Sequence, residues 1–163
     1  MIKKRFSSVV LMRKPYIRFV KSVIPPWTIT ALGELGQEEI AGEEDNPRIV
    51  EYLNSVDLTK PLHHIDEVPW CSALVNFCIT KCGIVGTNNA LARSWLKWGE
   101  KLSEPVFGCI TVIERGNNTW SGHVGFLMDI TPNYIHMLGG NQSNRVSMAV
   151  YPKSKVLGYL WPI

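Results

Sequence analysis

The feature that most constrains the fold is a change of hydrophobic period near Pro105. Before it, apolar residues recur at helical spacing; after it come short β-branched runs separated by turn residues. Residues 109–113 are rich in Ile, Val and Thr and lead to the turn signal Gly116-Asn117-Asn118. Residues 123–130 and 134–140 flank Thr131-Pro132-Asn133, which reads as a three-residue hairpin loop. Residues 146–151 and 156–161 supply two further strands, for an antiparallel sheet of about five. Helices followed by an antiparallel sheet define an α+β class rather than an alternating α/β one.

The helical half begins after Pro25-Pro26. A short helix over 27–36 is expected, with Thr28 as N-cap and Gly36 as its end. Asn46 followed by Pro47 marks the start of a second, over 48–53. Residues 54–69 show no sustained period and read as a connection. From Trp70 the signal strengthens: Leu74, Val75, Cys78 and Cys82 fall on one helix face, and Gly83 stops it. A further helix is expected over about 88–98, with Leu91, Trp95 and Trp98 on one side.

Length and charge divide the chain in two. At 163 residues with 45% hydrophobic content, it forms one globular domain, assigned to 25–163. It lacks the run of about eighteen apolar residues that a spanning helix needs. Residues 1–24 carry seven bases and no acid, leaving ten bases against fourteen acids in the remainder. Such a basic arm suits an anionic surface (phospholipid, cell wall or nucleic acid) or reads equally as a disordered N-terminal extension. It does not read as a standard secretory signal, because Arg13-Lys14 interrupts its apolar stretch after Val9-Val10-Leu11-Met12.

Four cysteines are too few for a disulfide scaffold. Cys78, Cys82 and Cys109 fit buried packing roles. Cys71 differs because it falls in the first turn of a helix, where unpaired amides and the helix dipole favour a thiolate. A thiolate nucleophile needs a base, and the base needs an orienting group. His63 and His64 lie in the connection and His136 inside an apolar strand, whereas His123 sits among small neighbours in Gly122-His123-Val124-Gly125. A hairpin centred on Pro132 places His123 opposite Asn141, Cβ to Cβ about 4.5–5.5 Å, and Gly125 opposite Gly139. Asn141 would then fix the imidazole tautomer, and the two glycines would let the Cys71 helix pack close to the sheet.

Two rival readings accompany this one. Cys71 fits a buried structural cysteine, the usual state of a free thiol. A zinc site would have to come from His63, His64, Asp66 and His123, because Cys71 and Cys82 would sit about 16 Å apart along their helix.

Several ordered segments now combine: Pro69-Trp70-Cys71-Ser72-Ala73-Leu74-Val75-Asn76, Ala90-Leu91-Ala92-Arg93-Ser94-Trp95-Leu96, Gly122-His123-Val124-Gly125-Phe126 and Leu138-Gly139-Gly140-Asn141-Gln142. Together with Trp27, Glu34-Leu35-Gly36, Glu39, Gly42 and Asn46-Pro47-Arg48-Ile49 upstream, they resemble phage and prophage cell-wall hydrolases of the CHAP and NlpC type. The resemblance spans about 25–163 and leaves the basic arm as an addition. It implies a papain-like cysteine hydrolase fold and cleavage of an amide bond in peptidoglycan, by an N-acetylmuramoyl-L-alanine amidase or a stem or cross-bridge endopeptidase. By that resemblance Cys71 is the nucleophile, His123 the general base and then acid, and Asn141 the orienting group. Gln142 supports the site by polar contact, and Asp66 with Glu67 either binds substrate amines or is solvated.

No metal or cofactor is required by this reading. The expected partner is peptidoglycan, with an anionic envelope surface for the arm, no specific nucleic acid, and a monomeric state. Synthesis in the cytoplasm and delivery by a holin or secretion machine complete the expectation. The alternatives are a wall-binding domain without hydrolysis, a zinc-dependent amidase, and an arm that binds polyanions on an ordinary core.

Overall fold

A computed structural model describes residues 24–41, 45–57, 69–116 and 119–163. The arm, apart from Ile24, lies outside the described residues, as do His63, His64, Asp66 and Glu67. The elements in chain order are α1 (Pro26–Gly33), α2 (Pro47–Leu53), α3 (Cys71–Lys81), a 3-10 helix (Ala92–Lys97), β1 (Glu100–Lys101), β2 (Ile110–Glu114), β3 (Gly122–Ile130), β4 (Tyr134–Gly139), β5 (Ser147–Pro152), a short 3-10 turn (Lys153–Lys155) and β6 (Val156–Trp161). The strands form one antiparallel sheet in the order β1-β6-β2-β3-β4-β5. Mixed helix and antiparallel sheet agrees with the expected α+β class. The sixth strand is β1, whose two residues are too short to carry a period.

Strand alternation divides the core. Ile110, Val112, Val124, Phe126 and Leu138 belong to the larger apolar cluster, with Leu74, Cys78 and Trp95 from the helical half. Cys109, Ile113, Leu127, Ile135 and Met137 form a second cluster on the opposite sheet face. Helix α3 is buried along its whole run from Cys71 to Ile79, so it is a central helix and not an amphipathic surface one. Trp27 ties α1 to the sheet by donating its indole N–H to the Gly108 carbonyl at 2.8 Å.

Three local expectations need correction. The cap of α1 is Pro25, not Thr28: the helix runs from Pro26 to Gly33, and Thr28 is fully buried inside it. Asn46, by contrast, caps α2 as expected, accepting from the Arg48 amide at 2.8 Å. The helix expected over about 88–98 is shorter and tighter, a 3-10 run over Ala92–Lys97. Its first turn is lost because Asn88 adopts φ 51° and its amide donates to the buried Asn76 side chain at 2.9 Å. Ser72 also holds the Asn89 carbonyl at 2.6 Å, so packing on α3 outweighs the local helical pattern.

The third correction concerns register. Near the loop, Ile130 pairs with Ile135 and Asp129 with His136, one residue away from the expected pairing. An extra β3 residue between Leu127 and Asp129 forms a bulge, after which Leu127 faces Met137 and Phe126 faces Leu138 as expected. The pairing between β3 and β4 stops there, before it reaches His123.

Candidate functional site

Cys71, His123, Asn141 and Gln142 gather where β3 and β4 part. Cys71 is the first residue of α3 and is 4% exposed; His123 is the second residue of β3 and is 3% exposed. The backbone amides of Val124, Ser72 and Cys71 itself lie near enough to the Cys71 sulfur to favour its thiolate. Val124 follows His123, so the thiol lies against the strand segment that carries the imidazole.

The partner of the His123 ring is Gln142 and not Asn141. His123 Nε2 lies 3.1 Å from Gln142 Oε1. The Gln142 amide nitrogen donates to the Gly139 carbonyl at 3.2 Å and to the Ser147 carbonyl at 2.5 Å, which fixes its oxygen as the atom facing His123. That oxygen also accepts from the Tyr151 hydroxyl at 2.9 Å, and the Tyr151 ring packs 5.5 Å from the His123 ring. An acceptor at Nε2 places the ring hydrogen there and leaves Nδ1 as the basic nitrogen.

Backbone geometry explains the replacement. Beyond Gly139 the chain leaves the sheet, and Asn141 adopts φ 54°. Asn is among the few residues that tolerate this conformation, so position 141 turns the chain and the following side chain, Gln142, reaches the ring. Ser143 and Asn144 are also left-handed, at φ 56° and 60°. The turn is braced by the segment after α1: the Val146 amide donates to the Gln37 carbonyl and the Glu39 amide to the Asn144 carbonyl, both at 2.8 Å.

The glycines act differently from the expectation. A Cβ on Gly139 would sit 3.2 Å from both His123 Nε2 and Gln142 Oε1, so its absence leaves room for that hydrogen bond. The close approach of helix to sheet is made at Gly140. A Cβ there would come within 2.6 Å of Trp70 Cε3 and 3.1 Å of Leu74 Cβ. Trp70 is buried at the start of α3 and donates its indole N–H to Glu39 Oε1 at 2.7 Å.

Burial governs both titrations. It pushes the Cys71 thiol up, against the pull of the three amides and the Arg115 charge. The sequence-based expectation of a lowered thiol is therefore reversed, because desolvation outweighs the helix start. Burial also pushes His123 down to about 4, opposed by the Gln142 hydrogen bond and reinforced by Arg115. Near pH 7 the buried His123 ring rests neutral, and burial holds Cys71 toward the thiol form.

Two cavities meet at this point. A cleft of about 570 Å³ is lined by Cys71 with Glu39, Leu91, Arg115, Trp120 and Asn141 among others. A smaller one of about 220 Å³ includes His123, Gln142, Tyr151, Arg115, Asn141 and Lys155. Arg115 and Asn141 line both, so Asn141 belongs to the walls although it does not hold the imidazole. The sequence reading missed Tyr151 and Arg115, which carry no motif; only register and cavity shape place them.

Cys78 and Cys109 are buried, and burial raises both thiols. Cys82 is partly buried against the core. Among the described residues, no three His, Cys, Asp or Glu side chains come together to hold a metal ion. No described helix is long and apolar enough to cross a membrane.

No family model matches the chain, and no curated protein matches it significantly in sequence.

Proposed function

We propose that this protein is a papain-like cysteine hydrolase that cleaves an amide bond in peptidoglycan. The observation that carries the reading is the bond between His123 Nε2 and Gln142 Oε1, which leaves Nδ1 as the basic nitrogen, while the helix-start thiol of Cys71 lines the adjoining cleft. Cys71 gives its proton to His123 Nδ1 as its sulfur attacks the amide carbonyl. The tetrahedral oxyanion is met by backbone N–H groups at the α3 start, Cys71 N–H among them. Its collapse breaks the C–N bond, the imidazolium protonates the leaving amine, and a thioester remains. Water deprotonated by His123 then releases the acid and regenerates the thiol.

Gln142 takes the orienting role that the resemblance gave to Asn141, with Tyr151 fixing the same oxygen. Peptidoglycan as substrate follows from the resemblance of the motifs around Cys71, His123 and Gly139-Gly140-Asn141-Gln142. The bond is the muramoyl–alanine amide or a peptide bond of the stem or cross-bridge. We further propose that the enzyme acts as a monomer, without cofactor, on the bacterial wall after holin- or secretion-mediated delivery, and that the basic arm meets the anionic envelope.

A second reading draws on one observation, the near-complete burial of Cys71 and His123. A site closed to substrate would bind wall without cutting it. Digestion of purified peptidoglycan by wild type and Cys71→Ala, with fragments identified by mass spectrometry, separates the two. Fragments from wild type alone support the thiol mechanism and identify the bond. Equal release by both variants overturns it, and no release by either folded protein favours wall binding.

A further inference from the structure

Arg115 immediately follows β2 and faces both cavities of the site. It is exposed, and among the described residues its guanidinium forms no ion pair. Its backbone is held separately, because the Ser121 hydroxyl donates to the Arg115 carbonyl. The side chain therefore does not hold that contact, yet its charge reaches Cys71, His123 and Tyr151 alike. The cleft is not uniformly positive, since the Glu39 carboxylate lines the same chamber as Cys71. Attraction for an anion is thus localised on the Arg115 side, where a planar guanidinium suits a carboxylate.

Resting on the hydrolase reading, we infer that Arg115 anchors a free carboxylate of the substrate next to the scissile amide, making the enzyme selective for peptides that carry that carboxylate over their amidated forms. The anchor binds and does not take part in bond breaking. Its removal raises KM for the free-acid substrate and not for the amidated one, whereas any effect of the lost charge on the thiol or the imidazole falls on both substrates alike.

The first test needs no turnover. Cys71 is alkylated with anionic iodoacetate and with neutral iodoacetamide, and its modification is followed by peptide mass spectrometry. Any change in thiolate fraction affects both reagents equally, so their rate ratio isolates attraction of the anion to the cleft. Arg115→Gln is expected to lower the iodoacetate-to-iodoacetamide ratio by about three- to tenfold at low salt, from a unit charge several ångströms away in a partly solvated cleft. Lys97→Gln, an exposed residue outside both chambers, carries the same charge change and should leave the ratio in place.

The second test measures binding of a stem peptide, as free acid and as amide, to Cys71→Ala by calorimetry. The free acid should bind about tenfold more tightly, and the preference should vanish in Cys71→Ala with Arg115→Gln. An unchanged alkylation ratio in Arg115→Gln, or equal binding of the two peptides, overturns the inference even if wild type digests peptidoglycan. Carboxylate preference without fragment release by wild type would sustain the anchor and overturn the hydrolase reading.

Discussion

His123 couples the acid–base state of the site to the stability of the fold. Its ring is 3% exposed, and burial lowers its pKa from an ordinary 6.5 to about 4. The unfolded chain therefore binds the proton more tightly than the folded one. Between those two values the unfolded state carries more protons, so stability is complete above pH 6.5 and falls as the solution is acidified. The full difference corresponds to about 3 kcal/mol, at 1.36 kcal/mol per pH unit. Acidification from pH 7.5 to 4.5 should remove about 2.5 kcal/mol of it.

Stopping at pH 4.5 limits interference from Glu34, which Arg48 holds below its ordinary 4.5 and which loses its stabilising charge mainly below that pH. The assay is urea unfolding at half-unit pH intervals, for wild type and His123→Gln. The pH-dependent loss in wild type should exceed that in the variant by about 2.5 kcal/mol, whatever the variant's absolute stability. A direct check, independent of the variant's folding, is the ring titration by nuclear magnetic resonance. Parallel pH profiles for the two proteins, or a His123 ring titrating near 6.5, would refute the buried neutral imidazole.

Two further outcomes follow from the same geometry. Gln142→Ala leaves the His123 N–H, the Tyr151 hydroxyl and two backbone carbonyls without their partner, so fragment release should fall at least about tenfold and stability by about 1–3 kcal/mol. Asn141→Ala should reduce release less, and the opposite ranking in peptidoglycan digestion would restore Asn141 as the orienting group. Gly140→Ala should lower stability by about 1–3 kcal/mol in urea unfolding, because its Cβ would overlap the Trp70 ring; an unchanged midpoint would contradict the close contact of α3 with the sheet.

The sequence determined the elements wherever local chemistry was sufficient. Asn46-Pro47 sets the start of α2, Gly83 with φ 75° marks the end of α3, and the β-branched runs after Pro105 set the principal strands. It also singled out Cys71 as a helix-start residue and His123 as a strand residue among small neighbours. What it could not determine depends on contacts distant in sequence. Asn76 and Ser72 hold residues 88 and 89 away from a helix, although the Leu91-Trp95-Trp98 spacing suggests one.

The site's third member depended on where the chain leaves the sheet. The bulge between Leu127 and Asp129 restores the expected register toward His123, but pairing ends at Phe126–Leu138 and the left-handed turn at Asn141 takes the chain out of the sheet before it can face His123. The sequence did contain one signal, since Gly139-Gly140-Asn141 favours just such a turn, but it does not reveal which side chain then reaches the ring. Charge state was likewise decided by the tertiary structure. A helix start lowers a thiol's pKa only while water reaches it; α3 packed against the sheet removes that water, and desolvation reverses the sign. Local covalent and conformational preferences are written residue by residue, whereas burial and cross-strand partners belong to the assembled fold.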